Sequence, residues 1–437
     1  MIKLLIGGSP CTYWSIAQKN HRETEPSGIG WELFKNYIIA KEKFKPDFFL
    51  YENNKSAAMP IKQKIREELK VWDGTLLTED TGARYIEINS ALVSAQNRQR
   101  FYVHNCGEVG LPKDRGILLK DILESGQGWT EKSYAVTTRD GGAIPEDTLK
   151  RKRHTMIAEP VRVGEMGSKS QWARVYSISG KSVTIKANGG FGASACAIPI
   201  NELKSGKGRC VTAGYAQQGV KHIMESNYSG NPNKQTWDCA AEPVIFQISR
   251  GYNAGGIKYN KSPTLTSNGS WENNNKVIEP VDALKIKKNI YEVKDGKIII
   301  KGKEYPIKLK DGYYIIRKLT VTECARLQTM PDDYCRAVSA SQGYKGLGNG
   351  WTAEVIIHIL QGALKDVPKD EEIVVLSMYD GIGTGRYCLD KMGFTNVKYY
   401  AYEIDKFAMQ IALSNYPDII ECGDAYKVRE DGWEAGR

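Results

Sequence analysis

A cysteine near the start of the chain stands in a sequence suited to nucleophilic chemistry. The apolar run at residues 2–6 predicts a buried strand, and two glycines end it. Pro10 then restricts the backbone directly before Cys11. This order predicts a thiol at the carboxyl end of a strand, the edge where open α/β sheets bind their ligands. A cysteine after a turn is more often structural, so the downstream motifs must decide between the two interpretations.

A carboxylate is predicted close to that thiol. Residues 46–53 predict a second strand, and Glu52 lies at its end. Strand ends share one edge of a parallel sheet, so we expect Glu52 to lie near Cys11. A carboxyl group beside a nucleophilic thiol suits general acid catalysis, whereas Glu52 taken alone is an acidic residue at a strand end.

Two arginines form a third candidate group. Arg98 and Arg100 lie in the aromatic-rich run 96–103, which predicts a strand. Residues two apart in a strand point the same way, so both guanidinium groups could clamp a phosphate or a base carbonyl. An ion-paired sheet edge is the alternative interpretation.

The final segment carries the pattern of a nucleotide site. Residues 373–379 predict a buried strand, and the glycine-rich turn 380–385 precedes a helix. Glu403 ends the next predicted strand, 20 residues after Gly383, which is the spacing of a carboxylate that binds ribose hydroxyls. Asp424 ends a third predicted strand and is expected to face the adenine. The pattern favours an adenosine-type cofactor.

Two helices are predicted between the arginines and this segment. Thr320 and Glu323 have capping-box spacing, which predicts a helix start. Residues 348–351 are expected to open another helix, which continues through the apolar positions that follow.

The composition is that of a globular protein in a reducing compartment. The chain has 437 residues, enough for two domains, with 41% hydrophobic and 26% charged residues. No apolar run is long enough to span a bilayer, and the N-terminus lacks a signal-peptide pattern. Nine cysteines without a C-x-x-C pair argue against a disulfide framework or a zinc site. We expect a cytoplasmic protein that holds no metal and contacts no membrane.

The positive charge lies in the middle of the chain. The net charge is +10, and residues 124–314 hold 29 Lys and Arg against 18 Asp and Glu. This excess indicates a polyanionic partner such as nucleic acid, although a lysine-rich, well-solvated domain would show the same charge.

The same middle segment predicts short strands and an internal repeat. Asp295-Gly296 and Asp311-Gly312 carry the signal of tight hairpins. Four short runs that precede glycine-bearing turns indicate a duplicated β-rich unit. These runs end at Thr137, Thr184, Thr212 and Thr264.

The motifs together resemble those of the C5-cytosine DNA methyltransferase family. Those around Cys11 and Tyr379 look closest to the animal de novo methyltransferases. The matching motifs are Ser9-Pro10-Cys11, Glu52-Asn53, Gln96-x-Arg98-x-Arg100, Gly348-Asn349 and Tyr379-x-Gly381-x-Gly383.

The order of these motifs departs from that of the family, in which the cofactor motifs come first. The sequence therefore resembles a circular permutant of an α/β, Rossmann-like, S-adenosylmethionine-dependent methyltransferase fold, with a smaller β-rich target-recognition domain. The expected domains are a catalytic half at 1–123, a target-recognition domain at 124–314, a return to the catalytic domain at 315–364, a linker at 365–372 and a cofactor-binding half at 373–437.

The resemblance implies a role for each catalytic group. Cys11 would attack C6 of a cytosine flipped out of double-stranded DNA, Glu52 would protonate its N3/N4 edge, and Arg98 would steady its carbonyl. The methyl group of S-adenosyl-L-methionine would pass to C5.

The resemblance also implies binding residues. Those expected at the cofactor are Asn349, Trp351, Tyr379, Asp380, Gly381, Gly383, Glu403, Ile404 and Asp424. Those expected at the substrate are Ser15, Gln18, Asn53, Gln96 and Arg100.

Other functions stay open at this point. A relative of this family could act on tRNA cytosine, or could be a catalytically silent DNA-binding regulator. A cysteine hydrolase would need a histidine base, and none of the five histidines lies in a comparable motif. We expect a bacterial or phage-encoded DNA (cytosine-5)-methyltransferase. A companion restriction endonuclease and more than one DNA target are further expectations.

Overall fold

The computed structural model describes residues 1–15, 22–72, 74, 80–160 and 290–433, with six short strands between residues 162 and 280. The chain divides into two compact units. The first holds residues 1–122, 130–155 and 318–437, and the second holds residues 123–129 and 156–317. Gln18 and three threonines of the repeat (Thr184, Thr212 and Thr264) lie outside the described residues, so the predictions made for them stay predictions.

The strands are numbered in chain order. The first unit begins with β1 (Ile2–Gly7), β2 (Phe48–Asn54), β3 (Arg84–Asn89), β4 (Gln96–Asn97), β5 (Gln99–His104) and β6 (Ser133–Tyr134). The second unit contains β7 (Met156–Pro160), β8 (Arg162–Met166), β9 (Arg174–Ser177), β10 (Ala195–Ala197), β11 (Val244–Gln247), β12 (Gly256–Lys258), β13 (Asn275–Pro280), β14 (Ile290–Lys294), β15 (Lys297–Ile300), β16 (Lys303–Pro306) and β17 (Gly312–Lys318). The first unit ends with β18 (Ile373–Met378), β19 (Val397–Tyr402) and β20 (Ile420–Gly423).

The described helices all lie in the first unit. They are α1 (Gly28–Phe44), α2 (Met59–Glu68), α3 (Leu119–Ile122), α4 (Pro145–Arg151), α5 (Val321–Leu327), α6 (Ala340–Asn349), α7 (Ala353–Leu364), α8 (Thr384–Lys391) and α9 (Lys406–Asn415). Single 3-10 turns lie at Cys11–Tyr13, Ser90–Leu92, Asp140–Gly142 and Ala425–Arg429. None of the helices in the described part of the chain is long and apolar enough to span a membrane.

A seven-stranded sheet forms the centre of the first unit, in the order β20-β19-β18-β1-β2-β5-β3. β1 runs parallel to β18 and β2, and β18 and β20 run parallel to β19, whereas β5 is antiparallel to both of its neighbours. All six residues of β18 are buried, as expected of a central strand covered on both faces. The sheet thus places the ends of β1, β2, β18 and β19 along one edge, as the sequence predicts.

Two glycines allow the end of β1 to lie between its neighbours. A Cβ atom on Gly7 would lie 2.6 Å from the carbonyl oxygen of Met378, and one on Gly8 would lie 2.6 Å from that of Glu52. Neither contact is sterically tolerable, so a side chain at either position would push the strands apart. The glycines therefore do more than end the strand: they bring three backbones together directly before Cys11.

The capping box at Thr320 is confirmed. Its hydroxyl accepts a hydrogen bond from the Glu323 backbone N–H at 3.1 Å, and the Glu323 carboxylate accepts one from the Thr320 N–H at 2.9 Å. This local interaction is fully encoded by the residue spacing.

The prediction that residues 348–351 open a helix is wrong. Gly348 and Asn349 end α6, and the next helix begins at Ala353. A Cβ atom on Gly348 would lie 2.3 Å from the Thr137 carbonyl carbon, so this glycine permits a close approach inside a helix. The sequence alone does not show which of these two uses a glycine serves.

The predicted strand at 96–103 is divided at Arg98. β4 pairs with β6, whereas β5 pairs with β2 and β3. Arg98 lies between them, so it does not share one regular strand with Arg100.

The second unit contains only strands among its described elements, arranged in a six-stranded and a five-stranded sheet. Asp295-Gly296 joins β14 to β15 in a hairpin, as predicted, and both residues have positive φ. The expected hairpin at Asp311-Gly312 is wrong. Lys301-Gly302, also with positive φ, makes the second tight turn, and Gly312 instead starts β17, which pairs with β14.

We expect Gly7→Ala to lower the free energy of unfolding by about 2 kcal/mol, because the added methyl group overpacks the β1–β18 junction. Urea denaturation measures this change. Gly110→Ala is the control, since its added Cβ meets nothing within 4 Å. Equal stability of the two variants would contradict the account of the junction.

Candidate active site

A cavity of about 450 Å³ lies at the carboxyl ends of these strands, entirely within the first unit. It joins the predicted catalytic groups to the predicted cofactor groups in one continuous space. The predicted residues that line it are Cys11, Glu52, Arg98, Arg100, Asn349, Trp351, Tyr379, Asp380, Gly381, Glu403, Ile404 and Asp424. Ser15, Asn53, Gln96 and Gly383 are described but do not line it.

Cys11 begins a single 3-10 turn and is partly exposed. Its carbonyl accepts hydrogen bonds from the backbone N–H groups of Trp14 at 3.1 Å and Ser15 at 3.0 Å. Because these bonds use the backbone alone, the turn presents the side chain at the cavity wall without engaging the thiol.

Buried polar side chains stabilise this turn through hydrogen bonds to Ser9, which lies two residues before Cys11. The Asn53 amide donates to the Ser9 carbonyl at 2.9 Å, and the Ser9 and Tyr51 hydroxyls lie 2.7 Å apart. Asn53 is only 1% exposed. The structure therefore places Asn53 where it supports Cys11, and its contact with substrate stays a prediction.

Both carboxylate oxygens of Glu52 are engaged. The Arg100 Nε atom lies 2.8 Å from Oε1, and the Trp351 indole Nε1 donates to Oε2 at 3.1 Å. Glu52 is 9% exposed, so the ion pair is screened by little solvent. The carboxylate of Glu52 is thus held between one cation and one uncharged donor.

Arg98 is a buried cation beside the thiol. Its Nη1 donates to the Val136 carbonyl at 2.9 Å, and its Nη2 donates to those of Gly350 at 2.7 Å and Gly348 at 3.2 Å. Burial, together with the nearby Arg100, lowers the pKa of Arg98 to about 10, although Glu52 and Cys11 oppose the change. A guanidinium with this pKa remains charged at neutral pH.

Gln96 and Ser15 lie behind the cavity wall. The fully buried Gln96 amide donates to the Leu327 carbonyl at 2.6 Å and accepts from the Val136 N–H at 3.1 Å. The Ser15 hydroxyl lies 3.5 Å from the Asn54 amide nitrogen. Their contacts with substrate stay predictions.

The glycine-rich turn is tied to the end of β19 by one carboxylate. The Gly381 N–H donates to Glu403 Oε2 at 2.8 Å, and the N–H groups of Ile404 and Asp405 donate to Oε1, each at 2.8 Å. Gly381 has φ of 67° and Gly383 has φ of 78°, a region that favours glycine. The turn cannot form as readily with other residues at these positions.

Asp380 anchors the turn from inside. It accepts hydrogen bonds from the Ser377 and Tyr399 hydroxyls, both at 2.6 Å. Burial raises the pKa of this carboxyl, and Glu403 raises it as well, although the two hydroxyl donors oppose the change. Asp380 therefore stabilises the turn that faces the cavity.

The far end of the cavity has an apolar and an acidic wall. Ile404 is 72% exposed, which is unusual for an isoleucine and leaves its side chain open to a ligand. Asp424 caps the turn Ala425–Arg429 through the Tyr426 N–H at 2.9 Å and also lines the cavity. This pairing suits a flat, hydrogen-bonding ring.

Sequence reasoning missed a set of lining residues on α6 and α9. Lys345 pairs with Asp405 at 2.6 Å across the cavity wall, and Gln342 lies one turn before Lys345 on α6. Because α6 was not predicted, its cavity-facing side could not be read. The described residues include no group of three metal-ligating side chains that could hold an ion.

A partly exposed thiol beside a carboxylate and a buried guanidinium, open to a glycine-rich turn, is an arrangement suited to an α/β enzyme of group transfer with an adenosine-type cofactor. The comparison with protein families is specific. A model described as C-5 cytosine-specific DNA methylase matches residues 1–138 and 200–365. The chain therefore belongs to the C-5 cytosine-specific DNA methylase family and is a DNA methyltransferase. Members of this family use S-adenosylmethionine as methyl donor.

A phage protein is a relative of this chain. The orphan methyltransferase M.SPRI of Bacillus phage SPR is 27% identical over 405 residues, which covers 82% of this chain and 81% of the phage protein. The permuted motif order and the likeness to animal enzymes stay predictions.

We expect Glu403→Gln to weaken S-adenosylmethionine binding by roughly tenfold to a hundredfold. The amide NH2 of glutamine would face the backbone N–H groups that now donate to the carboxylate, so hydrogen bonds that hold the turn would be lost. Isothermal titration calorimetry measures this affinity. Glu430→Gln, at an exposed position, is the control. Unchanged affinity in Glu403→Gln would contradict the assignment.

The carboxylate of Glu421, which interacts with Asp380 and Glu403, makes the free energy of unfolding depend on pH. Burial raises the pKa of Glu421 to about 7, with Asp380 and Glu403 adding to the effect. Among the described residues neither of its oxygens has a hydrogen-bond partner. The folded chain therefore binds a proton more tightly than the unfolded chain, whose reference pKa is 4.5. The resulting stabilisation is present below that value and is lost as the pH rises through about 7.

We expect Glu421→Gln to remove this loss, so that the variant melts a few degrees above wild type at pH 8 and close to it at pH 5. Thermal unfolding followed by circular dichroism across this range provides the measurement. A constant difference at all pH values would exclude titration of Glu421 as the cause.

Proposed function

We propose that this protein transfers a methyl group from S-adenosylmethionine to C5 of a cytosine flipped out of specific double-stranded DNA sequences. The reaction would pass through a covalent bond between Cys11 and C6 of the base. The observation that carries the proposal is the single cavity in which Cys11 and Glu52 open onto the Gly381 turn.

The first step is attack by the thiolate. C5 of cytosine is a poor nucleophile, so covalent activation at C6 is needed before C5 can accept a carbon electrophile. A free cysteine has a pKa of about 8.5 and is mostly protonated at neutral pH. The Arg98 guanidinium lines the same cavity as Cys11, and the Ser9–Asn53 contacts hold the turn that carries the thiol.

Glu52 supplies the acid group. As the Cys11–C6 bond forms, the electron pair moves into the ring, and a proton from Glu52 at the N3/N4 edge neutralises it. The resemblance gives Arg98 the task of steadying the base carbonyl. Three of the Arg98 N–H groups already donate to backbone carbonyls. Arg100, paired with Glu52, is therefore a second candidate for this role.

The far end of the cavity fits the methyl donor. A Cβ atom on Gly381 would point into open space, so the turn leaves room for a ligand against its backbone. Three backbone N–H groups donate to the Glu403 carboxylate. A carboxylate has about four acceptor positions, so Glu403 can still accept a hydrogen bond from a ribose hydroxyl. Ile404 and Asp424 would hold the adenine, and Asn349 and Tyr379 would shape the pocket. When bound, S-adenosylmethionine supplies the methyl group that C5 of the activated base accepts.

The remaining steps involve Cys11, Glu52 and the cytosine ring. The C5 proton would pass to solvent, Cys11 would leave C6 as the thiolate, and the proton at N3 would return to Glu52, which restores the aromatic ring and both catalytic groups. A base stacked in a duplex cannot reach a cavity of this kind, so the target must leave the helix. The basic residues of the middle segment would hold the DNA backbone.

The proposed permutation agrees with two observations. β18, β19 and β20 come last in the chain, yet β18 pairs with β1 at the centre of the sheet. The family match ends at residue 365, before the segment that holds the glycine-rich turn. A family motif that had moved to the other end of the chain would escape such a match.

Methyl transfer to DNA tests the proposal. We expect labelled methyl from S-adenosylmethionine to appear in 5-methylcytosine after digestion of duplex DNA. Cys11→Ser should reduce transfer at least about a thousandfold, because a hydroxyl is a much weaker nucleophile at neutral pH. Cys422→Ser, a change at another partly exposed thiol outside the cavity, should keep it.

The other outcomes favour the alternatives. Label found only in tRNA cytosine would indicate an RNA methyltransferase. DNA binding without transfer would indicate a silent regulator, and equal transfer by Cys11→Ser would exclude Cys11 as the nucleophile.

A further inference from the structure

Glu52 is held by two donors of different charge. Arg100 pairs with Oε1, and the Trp351 indole donates to Oε2. Arg100 lies on β5, next to β2, whereas Trp351 belongs to the segment between α6 and α7, 299 residues after Glu52. Two separate elements thus converge on one carboxylate.

The backbone that carries Trp351 is itself fixed. Arg98 Nη2 donates to the carbonyls of Gly348 and Gly350, and the Gln328 amide also donates to the Gly350 carbonyl at 3.2 Å. The Gly350 N–H closes the end of α6 through the Gly346 carbonyl at 2.9 Å. These bonds leave the main chain before Trp351 little freedom, so the indole reaches Glu52 from a rigid base.

These contacts connect Arg98, Trp351, Glu52 and Arg100 in a closed ring. Arg98, between β4 and β5, donates to the Gly348–Gly350 backbone, and Arg100, on β5, pairs with Glu52. Trp351 joins the two branches through its indole N–H. A carboxylate gripped at both oxygens cannot rotate about its terminal bond without breaking one of these contacts.

The charge of the second donor matters. A second cation on Oε2 would stabilise the ionised carboxylate strongly, which would oppose protonation of a general acid. An uncharged N–H orients the group with a weaker preference for the ionised form. The indole therefore fixes the geometry of the carboxylate without placing a second positive charge beside it.

We propose that Trp351 is a positioning residue for Glu52, which orients the general acid through Oε2, in addition to any contact that its ring makes with the cofactor. This role rests on the proposed function, because it requires Glu52 to exchange a proton with the base. Trp351 would then act in two ways: its indole N–H would orient Glu52, and its ring face would contact the cofactor.

Trp351→Phe separates the two uses, because it removes the N–H and keeps an aromatic ring. Trp351→Leu also removes the N–H, but it replaces the indole with an aliphatic side chain. The test therefore needs only one of the two variants to fold. Trp72→Phe is the matched control, since Trp72 packs under Arg84 at 4.9 Å and does not line the cavity. Circular dichroism confirms folding before each assay.

The measurements are the single-turnover rate of methyl transfer to duplex DNA from pH 5 to 9 and the affinity for S-adenosylmethionine. We expect both Trp351 variants to slow transfer roughly tenfold to a hundredfold, while Trp351→Phe changes cofactor affinity less than about threefold. The high-pH limb of the rate profile should move upward by about half a unit, because the ionised carboxylate has lost a donor. The other charged or titratable groups around Glu52 are Arg98, Arg100, Tyr51 and Tyr102, with Cys11 beside Arg98, and all of them are unchanged in these variants.

Each other result overturns the role. A rate reduced equally at all pH values indicates a structural effect, and a loss explained by weaker cofactor binding assigns Trp351 to the cofactor alone. Wild-type rates in both variants show that the hydrogen bond has no function. The wild-type protein reports on the proposed function separately: if it transfers no methyl group to cytosine, that function fails and the role of Trp351 fails with it.

Discussion

The site depends on how closely three backbones approach one another at the end of β1. Gly7 lies against Met378 and Gly8 lies against Glu52, at distances that leave no space for a Cβ atom. This approach places the turn that begins with Cys11 between the strand that precedes the glycine-rich turn and the strand that carries the carboxylate. The nucleophile, the acid and the cofactor turn can share one cavity only because the main chains are in contact there.

Charge balance decides how the side chains around that junction are arranged. Glu52 is neutralised by Arg100, so the nearest carboxylate is not available to Arg98. Among the described residues, Arg98 is buried without an ion-pair partner of its own, and it donates to three backbone carbonyls. A buried cation held by neutral dipoles keeps its positive charge available to an anionic group in the cavity. The same three bonds fix the segment that leads to Trp351, so electrostatics and geometry depend on the same residue.

The accuracy of the sequence predictions followed the range of the interactions involved. The strands β1, β2 and β19 contain short apolar runs, and such runs are recognisable because the residues that become buried are consecutive in the sequence. The capping box at Thr320 is equally local. The helix that ends at Asn349 was missed because Gly348 permits a close approach to Thr137, a contact between residues more than two hundred positions apart. No local pattern encodes that distance.

The sequence by itself determined the types of chemistry available: a thiol after a strand, a carboxylate and two arginines, and a glycine-rich turn followed at the right spacing by an acidic residue. Each of these is a local pattern, and the thiol, the carboxylate and the two arginines lie within the part of the chain that matches the C-5 cytosine-specific DNA methylase family. Only the tertiary structure decided which donor meets which oxygen of Glu52, that Asn53 and Gln96 lie behind the cavity wall, and that Lys345 reaches it. These outcomes depend on the packing of strands and helices that are distant in sequence, where a shift of one residue would turn a side chain to the opposite face.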